Sequence, residues 1–400
     1  MNTPLKILVN ATGVSHDNPP RLSGNFYLAF SLVEQMTEMP DLDMHVATDS
    51  MTHPRFLKIL PQENCHLQGT GGAGKNFNSI LAMDISLKKL VAKLKPDVFH
   101  RPTGQLPFLR LPGCAAVSTV ADLNFKTNKQ YSFSQRLYKD LSYWWTFKRA
   151  DRVTAISSYT ASEIHRYYRY PKDKITVTHL GVVKRPLGSF PAALQMAKPY
   201  FLTFAQHSHK NCEAALRALH NRVNATTNNN VNLVVVGDNN YVEQTLKPLS
   251  ASLGLSSHVY FVGYVDDDQL RAIYENASGL LFLSRHEGFG LPVVEAFWAG
   301  CPVIAANSSS LPEIVGDAGI LQDPDDISGI AESMKQVTED QNLRNQFIEH
   351  GRERAKQFSW ENAARKTVAV YRQAYEDRAK RGSKYLARSD SPNMRNAAIK

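Results

Sequence analysis

Short apolar runs, rich in β-branched residues and bounded by turn residues, alternate along the first half of the chain with stretches long enough for a helix. This alternation predicts a parallel sheet with crossover helices. The predicted strands of this half are Leu5–Asn10, Met44–Thr48, Val98–His100, Ala116–Val120, Val153–Ser157 and Ile175–Leu180.

A segment rich in Gly and Pro, residues 181–199, interrupts this pattern before it begins again. We interpret residues 186–199 as an interdomain linker between domains at 1–185 and 200–365. The sequence thus predicts two tandem Rossmann-like α/β domains facing a central cleft, with ligands beyond the carboxyl ends of the strands. The predicted strands of the second domain are Tyr200–Phe204, Leu233–Val236, Tyr260–Val262, Leu280–Leu283 and Val303–Ala305.

Length and composition agree with two folded domains. The chain has 400 residues, of which 43% are hydrophobic and 21% charged, close to the globular average. No run of about 18 apolar residues and no signal-peptide core is present, so we expect a cytoplasmic protein. The four cysteines are scattered, which predicts reduced packing residues, and residues 381–400 are expected to form a loose basic tail.

Charge is distributed unevenly. Residues 1–190 carry 24 basic and 14 acidic side chains, whereas residues 191–370 carry 14 and 20. The first domain is therefore the one expected to meet an anionic partner. Within it, residues 126–152 interleave aromatic with basic side chains, a composition that suits an anionic membrane surface, although half of these rings would serve equally well in a core.

The most informative segment is residues 284–326, which follows a predicted apolar strand. The loop Glu287-Gly288-Phe289-Gly290 allows the backbone to approach a ligand, and Pro292 suits the first turn of the helix that follows. Glu295 lies on that helix, so both carboxylates can reach the space above its N-terminus, where amides and the helix dipole favour a phosphate. An ordinary capped αβ unit would explain Pro292 but not the glycine loop with both acids.

Three further segments carry candidate chemistry. Residues 205–211 follow the first strand of the second domain and place His207, His209 and Lys210 where such folds bind ligands, although a merely polar loop is the alternative. Residues 69–76 have the spacing of a P-loop but lack the hydroxyl that binds magnesium, and residues 63–68 before them do not form a buried strand pattern. His286 has no second histidine four residues later, which excludes a zinc-protease motif.

Residues 284–326 closely resemble the signature of glycosyltransferase family 4, retaining enzymes of the GT-B fold, and weaker similarity covers nearly the whole chain. The resemblance implies that Glu287 and Lys210 are catalytic, with Lys210 on the donor pyrophosphate, Glu287 on the donor sugar and Glu295 on the ribose. It also implies that residues 366–380 form a helix returning to the first domain. The implied donor-binding residues are Gly24, Lys210, Glu287, Gly288, Phe289, Gly290, Leu291 and Glu295.

The chain departs from the family pattern at two positions. Relatives usually have a histidine where this chain has Ala121, next to Asp122, and an arginine where Gln206 stands, a loss for which His207 or His209 could substitute. A donor lacking the C6 hydroxyl is one hypothesis that Ala121 suggests, and an ordinary hexose is the alternative. The departures also motivate a rival interpretation, a catalytically silent GT-B partner or regulatory protein.

The activity implied by the resemblance is retaining transfer of a hexose from a nucleotide sugar of the GDP-mannose type. The acceptor would be a glycan or lipid-linked glycan of the lipopolysaccharide type, in cell-surface polysaccharide synthesis. Such a reaction depends on electrostatic stabilisation of the leaving diphosphate. We expect no required metal, since no Asp-x-Asp motif stands at a strand end. We also expect no cofactor and no nucleic-acid partner.

Overall fold

The computed structural model describes residues 3–13, 24–68, 77–128, 131–182, 188–225 and 231–389. Its chain divides into two compact units, each built on its own parallel sheet. Unit 1 comprises residues 1–156, 160–179 and 360–400, and unit 2 comprises residues 157–159 and 180–359. The chain therefore returns to unit 1 at Trp360.

Unit 1 contains a sheet of seven parallel strands among its described residues. They are β1 (Leu5–Asn10), β2 (Leu42–Thr48), β3 (Cys65–Leu67), β4 (Val98–Arg101), β5 (Ala115–Val120), β6 (Arg152–Ala155) and β7 (Ile175–Val177). Their order in space is β3-β2-β1-β4-β5-β6-β7. The order reverses between β1 and β4, the position where a doubly wound sheet opens a crevice beyond its carboxyl ends.

Helices cover this sheet, and most strand residues are therefore buried on both faces. The fourth helix begins with a capping box in which Ser132 and Gln135 satisfy each other's backbone amides. The helices before unit 2 are α1 (Gly24–Thr37), α2 (His53–Phe56), α3 (Phe77–Leu94), α4 (Phe133–Arg149) and α5 (Ser158–Tyr168).

Unit 2 repeats the same topology with six parallel strands in its described part. They are β8 (Tyr200–Phe204), β9 (Asn232–Val236), β10 (Val259–Gly263), β11 (Gly279–Phe282), β12 (Val303–Ala306) and β13 (Gly319–Gln322), in the order β10-β9-β8-β11-β12-β13. Here the order reverses between β8 and β11. A core of buried aliphatic residues from these strands and the surrounding helices fills the unit.

The helices of unit 2 lie on both faces of its sheet. They are α6 (Cys212–Asn224), α7 (Lys247–Ser252), α8 (Asp267–Asn276), α9 (Leu291–Trp298), α10 (Leu311–Val315), α11 (Ile327–Glu339) and α12 (Gln341–Ala355). A 3₁₀ helix at Ala192–Ala197, inside the segment interpreted as a linker, also belongs to unit 2 and buries Leu194 and Ala197.

The last helix, α13 (Trp360–Ser389), belongs to unit 1 and packs against α1 and the central strands. Its fully buried Tyr371 shares a 2.7 Å hydrogen bond with Nδ1 of His100 on β4, whose Nε2 lies 2.8 Å from the Thr119 hydroxyl. Burial lowers the pKa of His100 to about 3 from 6.5. The neutral imidazole therefore stabilises unit 1 above pH 6.5, and this contribution is lost as the pH falls towards 3.

The doubly wound α/β class predicted for both domains is confirmed, and each predicted strand has a counterpart. Two strands were missed. β3 lies at the sheet edge and is buried only at Cys65, so residues 63–68 lack a continuous apolar run. β13 is also an edge strand, and its residues are only partly buried. The predicted strand at 175–180 ends early, at Val177.

Two further predictions concern cysteines and the C-terminus. Cys65, Cys114, Cys212 and Cys301 are all buried and free, as predicted for reduced packing residues. The tail predicted from residue 381 does not begin there, because α13 remains helical to Ser389. The P-loop-like residues 69–76 lie outside the described residues.

We expect Tyr371→Phe to lower the stability of unit 1 by about 1–3 kcal/mol, because a buried ring nitrogen of His100 loses its partner. Thermal unfolding measures this change. Tyr375→Phe, which removes the same hydroxyl from an exposed position one turn along α13, is the matched control and should leave unfolding unchanged. Equal effects of the two substitutions would contradict the importance of the His100 contact.

Candidate functional site

The candidate site of unit 2 lies where the strand order reverses, because β8 and β11 are neighbours and their carboxyl ends meet there. Lys210 follows β8 and Glu287 follows β11, and Nζ of Lys210 lies 2.6 Å from Oε1 of Glu287. The side chains are only 14% and 13% exposed, and the ammonium also lies 4.9 Å above the Phe282 ring. The fold thus brings together the two predicted catalytic residues as a nearly buried ion pair.

The loop after β11 is held in place by two serines that precede α10. The Ser309 hydroxyl accepts a hydrogen bond from the Glu287 amide at 2.9 Å. Ser310 donates to the carbonyls of Glu287 and Phe289 at 3.0 and 2.8 Å. The Glu287 amide and the carbonyls of Glu287 and Phe289 therefore have hydrogen-bond partners within the protein. The position of Glu287 thus depends on contacts with a segment more than twenty residues further along the chain.

Glycine at position 290 is required by both conformation and space. Gly290 has a φ of 114°, outside the range that L side chains usually adopt, and a Cβ atom there would lie 2.9 Å from Leu311. It directly precedes α9, in which Leu291 is the first residue, while the Phe289 ring beside it is buried. Gly288 lies between Glu287 and Phe289 and is half-buried. Pro292 has no N–H and the Val293 amide donates to the Gly290 carbonyl at 2.9 Å, so among the described residues the first turn of α9 leaves the Leu291 amide available.

Glu295 lies within α9 and is buried. Its Oε2 accepts a 3.1 Å hydrogen bond from the hydroxyl of Tyr274, a buried residue of α8 whose ring packs near Phe204. A carboxylate held in this way has a defined direction and retains acceptor capacity for hydroxyl groups. Tyr274 is a supporting residue that the sequence motif does not reveal, because it belongs to another helix.

The loop after β8 carries the other polar candidates of unit 2. Gln206 and His207 are exposed, and the rings of His207 and His209 stack at 5.4 Å. Burial, followed by the charge of Lys210, lowers the pKa of His209 to about 4, so this imidazole is neutral at physiological pH. Its Nδ1 is buried without a hydrogen-bond partner among the described residues.

Asn211 explains why the loop turns sharply after Lys210. It adopts a left-handed conformation with a φ of 58°, and its side chain donates to the Pro324 carbonyl at 2.9 Å. Asn239 donates to the carbonyls of Ala205 and Gln206, which fixes the start of the same loop. Lys210 is thus positioned from both ends of its loop.

In unit 1, the remaining predicted residues lie at the carboxyl ends of strands or at a helix start. Gly24 is the first residue of α1 and is exposed, with no atom within 4 Å of a Cβ built on it. Ala121 and Asp122 follow β5, and a carboxylate oxygen of Asp122 accepts from the Asn124 amide at 3.0 Å. Asp122 therefore stabilises its own turn, whatever else it binds.

Arg101 is a candidate that the sequence analysis missed. It ends β4, which lies beside β1 at the reversal point of unit 1, and its guanidinium donates to the carbonyls of Asn10 and Thr12. Burial lowers its pKa to about 10, and its Nε has no hydrogen-bond partner among the described residues. A lone arginine after a short strand is too common in sequences to have identified this residue.

Among the described residues, no group of three or more His, Cys, Asp or Glu side chains is placed to hold a metal ion. Positive charge at the unit 2 site comes instead from Lys210 and from the amino-terminal end of α9, which is where an anionic ligand would gain most.

Two family models match this chain. Residues 31–184 match Glycosyltransferase Family 4, and residues 189–354 match Glycosyl transferases group 1. The chain is also 31% identical over 288 residues to the O-antigen chain mannosyltransferase B of Escherichia coli, covering 70% of this chain and 74% of that protein. The chain belongs to glycosyltransferase family 4.

Solved structures agree with this glycosyltransferase at the level of the fold. The sucrose-phosphate synthase of Thermosynechococcus elongatus superposes with a TM-score of 0.73 at 21% identity, covering 93% of this chain and 99% of that one. Anabaena HepE in complex with UDP and glucose gives 0.69 at 18% identity, covering 94% and 100%. The predicted GT-B fold is therefore confirmed.

We expect single substitutions in the Lys210–Glu287 pair of this glycosyltransferase to be more harmful than removal of both charges. Lys210→Met strands a nearly buried carboxylate and should cost up to about 3 kcal/mol of unfolding free energy. Glu287→Gln should cost less, because its amide oxygen still accepts, and the double variant should recover part of the loss. Thermal unfolding of the four proteins completes the cycle.

The matched control for this cycle is Arg285→Ala. Arg285 lies on the same loop and forms an ion pair with Asp325, but both side chains are exposed. Its loss should change stability by less than about 1 kcal/mol. Losses that are simply additive in the double variant would show that Lys210 and Glu287 are not coupled.

Proposed function

We propose that this glycosyltransferase transfers a hexose, in the first instance mannose, from a nucleoside-diphosphate sugar with retention of anomeric configuration. The observation that carries the proposal is the nearly buried Lys210–Glu287 pair beside the glycine loop and the start of α9. A cation, the Leu291 amide at the helix start and two oriented carboxylates within one small region suit a diphosphate bonded to a sugar and a ribose.

The chemistry follows from where negative charge develops. As the bond between the anomeric carbon and the diphosphate breaks, charge accumulates on the departing phosphate oxygens. Lys210 and the Leu291 amide at the positive end of α9 stabilise that charge in a site with little solvent. As the diphosphate leaves, positive charge develops at the anomeric carbon of the sugar. The acceptor hydroxyl can attack this carbon if it is correctly positioned, and it has little need of a strong base. No metal is required in this proposal.

Glu287 and Glu295 have different tasks in this scheme. Glu287 holds the Lys210 ammonium in position before the donor arrives, and it accepts from hydroxyls of the donor sugar when the diphosphate binds part of the ammonium. Glu295, oriented by Tyr274, accepts from ribose hydroxyls. The backbone of residues 288–291 is proposed to contact the diphosphate and sugar.

Support for the donor and acceptor comes from the relatives. The E. coli relative is named an O-antigen chain mannosyltransferase, which favours GDP-mannose and a lipid-linked glycan acceptor in cell-surface polysaccharide synthesis. HepE was solved with UDP and glucose, so UDP-glucose is the donor to compare. The methyl side chain of Ala121 offers no hydrogen bond to a sugar hydroxyl, which makes a 6-deoxyhexose the third donor to test.

We further propose that unit 1 rests on an anionic membrane surface through one face of α4. This face presents large apolar side chains to solvent, with Phe133 as the most exposed at 82%. The others on α4 are Leu137, Tyr138, Leu141, Trp144 and Trp145. Their spacing of three and four residues places them along one side of the helix. Tyr143 and Phe147 instead face the core.

Charge favours an anionic bilayer as the occupant of this face. Lys148 and Arg149 lie at the end of α4 beside Trp144 and Trp145, in contact with their rings. Aromatic rings at headgroup depth with basic groups beside them are typical of peripheral membrane contact. No helix among the described residues is long and apolar enough to cross a bilayer. From the exposed apolar face and its basic flank we propose a peripheral location on the cytoplasmic face of the membrane.

The donor assignment predicts that GDP-mannose gives a higher kcat/KM than UDP-glucose or GDP-rhamnose. Lys210→Met should weaken GDP binding about tenfold or more, since a hydrogen bond to a charged group is lost. Glu287→Gln should retain GDP binding but lose transfer, because Lys210 remains while the sugar contact is gone. Isothermal titration and nucleoside-diphosphate release measure the two effects.

Arg285→Ala is again the control, because it removes a cation of the same loop that points to exposed Asp325. It should change neither GDP affinity nor transfer. Unchanged GDP affinity in Lys210→Met would remove Lys210 from the donor site, and a preference for UDP-glucose would overturn the mannosyl assignment.

The membrane assignment predicts that Phe133→Ser with Leu141→Ser weakens binding to phospholipid vesicles about tenfold or more, because two exposed apolar side chains no longer enter the interface. Vesicle flotation at rising salt provides the measurement. The control pair, Leu57→Ser with Met196→Ser, removes exposed apolar side chains elsewhere. Equal binding by both double variants would exclude the α4 face.

A further inference from the structure

A cavity of about 580 Å³ lies within unit 1, at the amino ends of strands β5 and β6. The candidate site residues of this unit lie at the opposite, carboxyl ends of the strands. Ala116, near the beginning of β5, and Asp151, just before β6, are among its lining residues. The candidate residues Ala121 and Asp122 instead follow the carboxyl end of β5. A strand of this length separates the amino ends of the strands from the carboxyl ends by roughly 20 Å. The cavity is therefore distinct from any ligand held at the carboxyl ends of this sheet.

Positive charge dominates the lining of this cavity. Five of its side chains are basic and one is acidic, and they come from the loop before β5, from α4 and from α13. These basic residues are Arg110, Lys148, Arg149, Arg378 and Arg381. Five like charges around one space repel one another unless an anion joins them.

The single acidic group, Asp151, is already occupied by protein partners. Its carboxylate accepts from the Ala116 amide at 2.7 Å and pairs with both Arg378 and Arg381. Arg149 donates to the carbonyls of Pro107 and Phe108, which carry no net charge. Neither Arg110 nor Lys148 forms an ion pair within the described part of the chain. The charge of Asp84 also acts on Arg149, so among the described residues Arg110 and Lys148 are the lining groups left without an acidic partner.

The remaining lining is apolar and continuous with the exposed face of α4. Leu106, Pro107 and Leu111 form an apolar wall, and Trp145 belongs both to the cavity and to the exposed face. The indole nitrogen of Trp145 donates to the Phe108 carbonyl at 3.1 Å, which fixes the ring between the two surfaces. A ligand that joins an anionic group to apolar chains would fill the cavity while remaining part of the membrane surface.

We propose that this cavity binds the phosphate-bearing headgroup of an anionic phospholipid. Arg110 and Lys148 hold the phosphate, and the apolar wall contacts the glycerol and the first methylenes of the acyl chains. The proposal rests on the membrane contact of α4 described above and adds selectivity to it. The aromatic face of α4 inserts into the membrane interface, whereas the cavity selects lipids with net negative charge.

The test compares vesicles of phosphatidylcholine with vesicles of equal parts phosphatidylcholine and phosphatidylglycerol, using the full chain. Arg110→Gln with Lys148→Gln should reduce the preference for phosphatidylglycerol about tenfold or more and leave binding to phosphatidylcholine unchanged. Lys58→Gln with Lys366→Gln removes two exposed basic groups elsewhere in unit 1 and should change the preference much less, because salt screens distant charges.

The outcomes separate this proposal from the earlier ones. Equal loss of preference in the two double variants would overturn the cavity site and leave only general surface charge. Phe133→Ser with Leu141→Ser should instead reduce binding to both kinds of vesicle. If the wild-type chain binds neither kind, the membrane contact and the cavity assignment both fail, while GDP titration still reports on the donor site.

A soluble probe distinguishes a lipid headgroup from free phosphate. Short-chain phosphatidylglycerol below its micelle concentration should raise the unfolding temperature of the wild-type chain and not that of Arg110→Gln with Lys148→Gln. Inorganic phosphate at the same concentration should have little effect. An equal shift with phosphate alone would assign the cavity to free phosphate and overturn the lipid proposal.

Discussion

Reversal of strand order in a parallel sheet is the constraint on which the candidate site depends. Between β8 and β11 the crossover helices pass to opposite faces of the sheet, so the carboxyl ends of these two strands are left uncovered. Lys210 and Glu287 are each only a few residues beyond one of these ends. Strand order alone therefore brings their loops together, and the side chains can meet without a long excursion by either loop.

A cation and an anion that are removed from water at this position must satisfy each other. The pair retains some solvent access, which keeps its cost low, but each charge would be expensive alone. Such a pair is well suited to a ligand that brings its own negative charge, because the ammonium can be shared between carboxylate and phosphate. The same arrangement that the folded unit needs for stability thus prepares it for a diphosphate.

Unit 1 shows how one helix can serve two surfaces. The inward face of α4 supplies Tyr143 and Phe147 to a core cluster, while its outward face carries aromatic and aliphatic residues without protein cover. Its last turn then contributes basic groups to the cavity shared with α13. The return of the chain at Trp360 is essential to this arrangement, because Arg378 and Arg381 reach Asp151 only from the last helix.

Much of the fold was accessible from sequence, because a buried parallel strand is a local run of apolar residues with turns at its ends. For the same reason the edge strands β3 and β13, buried on fewer sides, were missed. The loop at 287–290 was also predictable, since a backbone with positive φ needs glycine at a particular place. These features depend on short segments, and short segments are what a sequence displays directly.

Tertiary structure alone decided which side chains meet. Lys210 and Glu287 are 77 residues apart, and Tyr274 and Glu295 lie on different helices. His100 and Tyr371 are 271 residues apart, and the cavity combines residues 106–151 with Arg378 and Arg381 of the last helix. Such contacts depend on strand order and helix packing, which no local pattern encodes. Arg101 and the basic cavity were therefore invisible until the chain was folded.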